Sequence, residues 1–445
     1  MGLAVALYTA SPQLRAEGQV AIRSIVHEVV RRTPARSLSE QFLLVDGCLE
    51  WNWAVNSQGV VARPSRQVAD RAGHDRRVIL AVTVPYANAL WGAVPRLLLD
   101  RGIAVTMVSS DLPTTGSSIR GVEYQVLRMR RAVSPLADIL ALVRWCMLLR
   151  RVAPNVVAAA TPKAGLLAIL AAKIVGVPVR MYHVWGCRWD GHSGPIALFA
   201  KFAERVACWA ATDVIAVGHD VRKFLDEHYI CVGKSRVIGW GASKGVDLEK
   251  FRVDDRCERD TRAPTIGFAG RLARDKGIQY LLPVFAAVRL RVPNARMLIA
   301  GGMDDADTID ESTIAALQDC PAVTLAGVVA DMPAFFAAVD VLCFPTLREG
   351  LPNVVIEAAA CGVPTVAWRV TGTGDAILDG KTGYTVPFGH VQEMAQRIVE
   401  ILESKELRQQ LGVRGLGFVA ERFSAAVVTE LHANEICSRI EEKRG

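Results

Sequence analysis

The sequence predicts an α/β protein built on doubly wound parallel sheets. Two observations carry that expectation. Short apolar runs bounded by glycine, proline or charge recur along most of the chain, and helix-like stretches separate them. Strands that alternate with helices in this way form parallel sheets covered on both faces. The second observation is one unit that shows the pattern in full. Val339 to Phe344 is an apolar run, and Pro345 ends it. Pro352 stands where a helix begins, since proline at the first helical position has no amide to waste. Asn353 to Cys361 continues with good helix formers, Gly362 stops them, and Pro364 prevents resumption. Val363 to Val370 is apolar again. Strand, loop, helix, strand implies a parallel pair with a right-handed crossover.

Composition bounds the rest. A chain of 445 residues predicts two or three domains, and 51% hydrophobic content suffices for large cores. The net charge of +7 favours anionic partners: nucleotide, phospholipid surface or nucleic acid. Nucleic acid is set aside, because no basic stretch interleaves aromatics and no known binding motif occurs. The ten cysteines show no Cys-x-x-Cys and no metal-ligand spacing; several, such as Cys343 and Cys361, fall in apolar elements and read as reduced, buried residues of a cytoplasmic protein. No metal site is expected; Asp304-Asp305-Ala306-Asp307 reads as a polar loop. Leu136 to Leu149 is broken by Asp138 and Arg144, so it is no membrane span. The start of the chain has no basic region and does not read as a signal peptide.

Residues 1–76 give weak signals: helical spacing over Gln19 to Arg32 and an apolar run at Phe42 to Val45. No function is assigned to them. Val78 to Val84 is a strand, Trp91 to Asp100 a helix stopped by Gly102, and Ile103 to Val108 the next strand. Between Arg120 and Arg180 there are 10 basic and 2 acidic residues, and Leu136 to Arg151 is an apolar stretch with a basic end. It reads either as a core-facing helix with solvated arginines or as a patch for anionic headgroups. Val156 to Ala160 is a strand, and Thr161 caps the helix after it. Lys163 at that N-terminus either meets a phosphate or is solvated. Val179 to Trp185 is the next strand. His183 lies on the same side of it as Trp185. His183 and, in the loop beyond, Arg188 are candidates for touching substrate; the bland alternative for His183 is a satisfied core histidine.

Asp213 to Val217 and Lys234 to Trp240 are further strands, with a helix from Gly218-His219-Asp220 between them. Asp254 to Arg262 is charged and reads as a linker. Then Thr265 to Ala269 runs into Gly270. Gly270 permits close backbone approach to a ligand. Arg271 offers a bidentate fork to a phosphate, and Lys276 a point charge. Strands at Ala295 to Gly301 and Val323 to Gly327 come next, with a helix at Met332 to Val339. In the unit described above, Glu349 lies in the loop and Glu357 one turn into the helix. A helix N-terminus at the carboxyl end of a parallel sheet suits a phosphate. Glu357 then either reaches a ribose diol or is a surface helix residue, and Glu349 either meets a sugar hydroxyl or is a solvated loop residue. Beyond Thr371 to Asp375, read as turns, come a short strand and long helices.

Arg348-Glu349-Gly350-Leu351-Pro352-Asn353-Val354-Val355-Ile356-Glu357-Ala358 resembles the Glu-x7-Glu motif of family 4 retaining glycosyltransferases. Gly270-Arg271-Leu272 with Lys276-Gly277 resembles the stretch of that family that binds the donor diphosphate. Gly245-Val246-Asp247 with Phe251 is similar to the stretch that closes its first domain, and Thr161-Pro162-Lys163-Ala164-Gly165 to its capsule and lipopolysaccharide branch. The resemblance begins near Arg77. It implies a GT-B fold: two doubly wound Rossmann-like domains facing across a cleft, with a C-terminal helix, Ala425 to Ile440, returning to the first. The implied division is an extension over 1–76, an acceptor domain over 77–253, a donor domain over 262–420 and the returning helix over 421–445. It implies retention of configuration, no metal or other cofactor, and a nucleoside diphosphate sugar held by Gly270, Arg271, Lys276, Gly350, Leu351, Pro352, Asn353 and Glu357, with Glu349, Arg271, Lys276 and His183 at the reacting centre. Asn88, Lys163 and Arg188 would hold the acceptor. The loop of the family that carries glycines has Tyr86, Ala87 and Asn88 here, and Trp185 stands where the family often has histidine or arginine. The expected acceptor is a lipid-linked (undecaprenyl-diphosphate) saccharide at the inner face of the cytoplasmic membrane. The rivals are a soluble small-molecule acceptor, or a nucleotide-sugar-binding subunit without turnover.

Overall fold

The computed structural model describes residues 43–45, 48–50, 54–55, 61–62, 76–113, 118–130, 134–187, 189–191, 194–252, 263–303 and 309–443. The readings at Gln19 to Arg32, Asp304 to Asp307 and Asp254 to Arg262, and the candidate Arg188, lie outside the described residues. The chain divides into two units, Met1–Asp75 and Arg76–Gly445. In the first, β1 (Leu43–Val45) pairs antiparallel with β2 (Cys48–Glu50), and β3 (Ala54–Val55) with β4 (Val61–Ala62).

The second unit holds two parallel sheets. The first has seven strands in the order β11-β10-β9-β8-β5-β6-β7: β5 Arg77–Ala81, β6 Ala104–Ser109, β7 Glu123–Val126, β8 Val156–Ala160, β9 Val179–Val184, β10 Asp213–Ala216 and β11 Ser235–Val237. Helices α1 (Val94–Asp100), α2 (Pro135–Val152), α3 (Pro162–Val175), α4 (Pro195–Ala210) and α5 (His219–Glu227) connect them. Along β5 the side chains alternate between two dry layers: Ile79 and Ala81 join one core, Val78 and Leu80 the other. That is why such strands read as unbroken apolar runs.

The second sheet has six parallel strands in the order β14-β13-β12-β15-β16-β17: β12 Thr265–Ala269, β13 Arg296–Ala300, β14 Val323–Gly327, β15 Val341–Phe344, β16 Thr365–Trp368 and β17 Gly383–Val386. Its helices are α6 (Leu281–Arg289), α7 (Glu311–Gln318), α8 (Met332–Ala337), α9 (Asn353–Ala360), α10 (Thr373–Ala376), α11 (Val391–Glu403) and α12 (Lys405–Arg422). The last helix, α13 (Ala425–Glu442), leaves this domain and buries Ala433, Ile436 and Ile440 against Val78, Leu80, Val156 and Ala158 of the first sheet. The backbone fixes its return: the Val246 amide donates to the Phe423 carbonyl, and the Ala425 amide to the Val246 carbonyl.

Three local expectations need correction. The helix expected from Trp91 begins only at Val94. Pro85–Trp91 forms a 3₁₀ turn, Gly92 then has φ 54°, and Pro95 is tolerated only in the first turn of α1. Thr161 does not cap α3. Its hydroxyl accepts from the Thr83 amide at 2.9 Å, while the Thr83 hydroxyl accepts from the Ala164 amide at 3.1 Å. The cap thus comes from the neighbouring strand, a contact 81 residues away in sequence. Pro352 precedes the helix rather than opening it, and accepts from the Val355 and Ile356 amides.

Beyond the shared core, the two sheets are tied by a reciprocal pair of aspartates. Asp375 of α10 accepts from the Asp220 amide at 2.8 Å, in the first turn of α5. Asp220 in turn accepts from the Gly372 and Gly374 amides at 3.2 and 3.0 Å. Each carboxylate sits on the N-terminal amides of the other's helix, where dipole and donors both favour it. Burial pushes the Asp375 carboxyl up to about 6, with the facing Asp220 adding to it and the Asp220 amide opposing.

Candidate functional site

In the second sheet the chain turns back between β12 and β15, the switch point at which parallel sheets leave a crevice. A cleft of about 450 Å³ opens there, lined by the residues just beyond β12 (Gly270, Arg271, Lys276), β13 (Gly301, Gly302) and β15 (Glu349 to Val354), with Glu357 behind them. The structure therefore brings together every donor-side residue named from the sequence: Gly270, Arg271, Lys276, Gly350, Leu351, Pro352, Asn353 and Glu357, with Glu349 among them.

The turn that aims Lys276 is held closely. Gly277 has φ 75°, and a β-carbon there would run into the Pro345 carbonyl. The Leu347 amide donates to the Asp275 carbonyl at 2.9 Å. The loop after β12 and the loop after β15 are thus one packed unit. Within it, Lys276 Nζ donates to Glu349 Oε1 at 2.6 Å, and the Thr346 hydroxyl donates to the same oxygen at 3.0 Å. An ammonium has three donors, so this bond leaves two for a ligand. Asp275 Oδ2 lies 3.3 Å from Arg271 Nη2 and 3.5 Å from Arg348 Nη2, which steadies both guanidinium groups. The first amides of α9, Asn353 and Val354, have no partner within the helix and belong to cleft-lining residues. Two cations, helix amides and two carboxylates in one cleft suit an anionic ligand that also carries hydroxyls.

Glu357 is engaged differently. Its Oε1 accepts from Lys244 Nζ at 3.1 Å, and Lys244 belongs to the first domain. Lys244 has no assigned role in the sequence, although it directly precedes the Gly-Val-Asp stretch. Trp185, just beyond β9, is among the described residues the one from the first domain that lines the cleft. A β-carbon on Gly350 would run into the Trp185 carbonyl, so only glycine allows this approach of the two domains.

The remaining candidates lie elsewhere. His183 is 1% exposed, is not among the lining residues, and its ring centroid lies 5.0 Å from that of Trp91 and 5.6 Å from that of His432. Burial holds the imidazole well below its ordinary value, with His432 and Arg236 adding to the effect, so it is neutral. The expectation that it meets substrate is corrected: β9 turns it into the core, and Trp185 takes the cleft position. Lys163 is not simply solvated; it lies 2.8 Å from Asp138 of α2. Asn88 donates to the Ser109 hydroxyl at 3.3 Å. Lys163 and Asn88 both come after strands at the switch point of the first sheet, between β5 and β8. Among the described residues no group of three or more His, Cys, Asp or Glu is placed to hold a metal ion, and no helix is long and apolar enough to cross a membrane.

Two parallel-sheet domains with a cleft at the strand ends and a helix returning from the second to the first form the GT-B architecture. The Anabaena protein Alr3699/HepE, in a crystal structure with UDP-glucose, has this fold: TM-score 0.68, 18% identity, 81% of this chain and 99% of that one covered. The family described as Glycosyl transferases group 1 matches residues 263–404, and that described as Glycosyltransferase Family 4 matches 96–249. The capsular polysaccharide biosynthesis glycosyltransferase CapM of Staphylococcus aureus is 30% identical over 366 residues, 80% of this chain and 95% of the relative. A GDP-mannose-dependent phosphatidylinositol monomannoside mannosyltransferase of Mycobacterium tuberculosis is 29% identical over 279 residues, 53% of this chain and 71% of the relative. The chain belongs to glycosyltransferase family 4. It is a hexosyltransferase-type enzyme.

Proposed function

We propose that the protein moves a sugar, with retention, from a nucleoside diphosphate sugar to a lipid-linked saccharide in surface polysaccharide synthesis, at the inner face of the cytoplasmic membrane. The observation that carries the donor half is the cleft itself: Arg271, Lys276, Glu349 and Glu357 converge at the switch point of the second sheet. The UDP-glucose bound by the Anabaena neighbour supports a nucleotide sugar as the ligand. The capsule relative and the phosphatidylinositol mannosyltransferase support a lipid-held acceptor.

The chemistry is set by the groups present. The bond from the anomeric carbon to the diphosphate oxygen breaks, and negative charge grows on the leaving phosphate. Arg271, Lys276 and the α9 amides stabilise that charge more as it develops, which lowers the barrier. The acceptor hydroxyl attacks from the face the phosphate leaves, and its proton passes to the departing phosphate oxygen. Glu349 faces the developing positive charge at the anomeric carbon. Lys276, bonded to Glu349, links the two charge centres. Glu357 holds the ribose diol. No metal is required, since cations and amides already serve the diphosphate.

The test is transfer from a panel of nucleoside diphosphate sugars to washed bacterial membranes, with a lipid extract of those membranes as a second acceptor. Transfer into the lipid fraction is the expected result. Transfer only to water-soluble saccharides would replace the lipid acceptor with a soluble one, and no turnover with any donor would leave only nucleotide-sugar binding.

A further inference from the structure

Helix α4 is apolar on its outer face. Its inner face, with Ala197, Glu204, Ala207 and Cys208 buried, packs towards α3 and β9. Leu198, Phe202, Val206 and Trp209 succeed one another at steps of four, four and three, so they form one stripe on the opposite side. Leu198 is 67% exposed, Phe202 36% and Trp209 51%, and Phe199 and Ile196 flank the stripe at 51% and 81%. A scattered exposed leucine needs no explanation, but a contiguous stripe of this size marks an interaction surface.

The charged residues of α3 and α4 that are not buried are all basic. The only acid of α4, Glu204, is buried and accepts from the Tyr182 hydroxyl at 2.6 Å, and burial pushes it up to about 7. Lys173 of α3 lies 4.3 Å from the Trp209 ring centroid, and Lys201 and Arg205 sit on α4 itself. On the other flank of α3, α2 exposes Leu136 and Leu140 near its start and Arg144, Arg150 and Arg151 further along. A second copy of the same face would set these cations against themselves. An anionic bilayer meets both requirements, with acyl boundary for the aromatics and phosphate for the cations.

We propose that α4 seats the protein on an anionic lipid surface, Phe202 and Trp209 entering the headgroup–acyl boundary while Lys173, Lys201 and Arg205 meet headgroup phosphates. This rests on the reading of a lipid-held acceptor, and assigns the seating to α4 rather than to the α2 arginines alone. The test uses the full chain, cosedimented with phosphatidylglycerol-containing vesicles and with pure phosphatidylcholine vesicles. Three variants accompany it: F202S/W209S, F202L/W209L and R144Q/R150Q/R151Q, each checked by melting temperature. The serine variant should lose about tenfold or more in vesicle partition, and the leucine variant should stay near the parent. The arginine variant should weaken binding chiefly at low salt. Serine-variant binding equal to the parent, with loss only in the arginine variant, overturns the α4 assignment and leaves the lipid reading standing. A parent that binds no vesicle but glycosylates a soluble acceptor overturns both. A parent that sediments as a dimer, which the serine variant dissociates without change in vesicle binding, also overturns the proposal: the face then joins two copies.

Discussion

The two sheets face the cleft with different chemistry. The second contributes nearly the whole wall, with its cations, amides and both glutamates; the first contributes Trp185 and, behind the wall, the ammonium of Lys244. The difference extends to the glutamates. Glu349 is paired within its own domain, to Lys276 and Thr346 on one packed unit of two loops. Glu357 is paired across the domains, to Lys244. Rotating one domain against the other leaves the first pair intact and breaks the second. The Lys276–Glu349 pair is therefore set within one domain, while the Lys244–Glu357 pair requires that the domains have met.

The strongest way to break this comparison is to remove the charge of Glu349. Glu349→Gln should lower kcat by about 10²–10³-fold with little change in nucleoside diphosphate affinity, since its carboxylate acts on charge present only in the transition state. Steady-state kinetics paired with calorimetry of the nucleoside diphosphate decides it. Loss of affinity with kcat intact would reverse the two assignments. Next in size is Gly350→Ala. Its β-carbon meets the Trp185 carbonyl, so the domains cannot close to their present distance. Misplacement on that scale costs about 10²-fold in kcat/KM, whereas nucleotide binding by the second domain alone should persist.

Glu357→Gln should weaken donor binding by about 1.5–3 kcal/mol, the cost of losing a hydrogen bond to a charged group, with a smaller effect on kcat. Lys244→Met sharpens the point. A partly exposed ion pair contributes under about 1 kcal/mol, so donor affinity should shift by less than about fivefold, and the two variants together should fall short of additivity.

The aspartate clasp predicts a pH effect of about 1–2 kcal/mol after allowance for solvent screening. The Asp375 carboxyl is raised from 3.8 to about 6, so the folded protein binds more protons than the unfolded chain between those values. Its contribution to stability is fully present below about pH 4 and is lost as pH rises through about 6. Asp375→Asn keeps an acceptor for the Asp220 amide but cannot titrate. The variant's melting temperature should gain on the parent from pH 4 to 7, and a constant difference would remove Asp375 as the source. The smallest expected effect is none: activity should survive EDTA. Loss on chelation, restored by magnesium or manganese, would count against the diphosphate site assigned to Arg271 and Lys276.

The central strands were legible because both faces of each parallel sheet are dry there, as along Val156 to Ala160. The edge strand Val323 to Gly327 is largely exposed and was bounded by its turn signals. The residues that meet in the cleft could be named together because they cluster in two short stretches, 270–276 and 349–357. Contacts between distant stretches left no local trace. Lys244 and Glu357 stand 113 residues apart, Asp220 and Asp375 155 apart. His183 and Trp185 stand two residues apart, yet one is in the core and the other at the rim, because the strand ends between them. Helix α4 was silent for another reason. Apolar residues lie on both its inner and its outer face, and periodicity cannot distinguish a buried face from one that faces outward.

The route of the chain constrains anyone who would recombine this enzyme with a relative. A single crossover in the segment joining β11 to β12 gives a hybrid whose final helix comes from one parent and the sheet it covers from the other. Two crossovers are needed, the second near Phe423, so that α13 travels with Val78, Leu80 and Val156. The aspartates add a matching rule. Asp220 and Asp375 each complete a helix end in the opposite half. A donor half transplanted without a counterpart for Asp220 would arrive with the Gly372 and Gly374 amides bare. The halves are interchangeable parts only between parents that share this handshake.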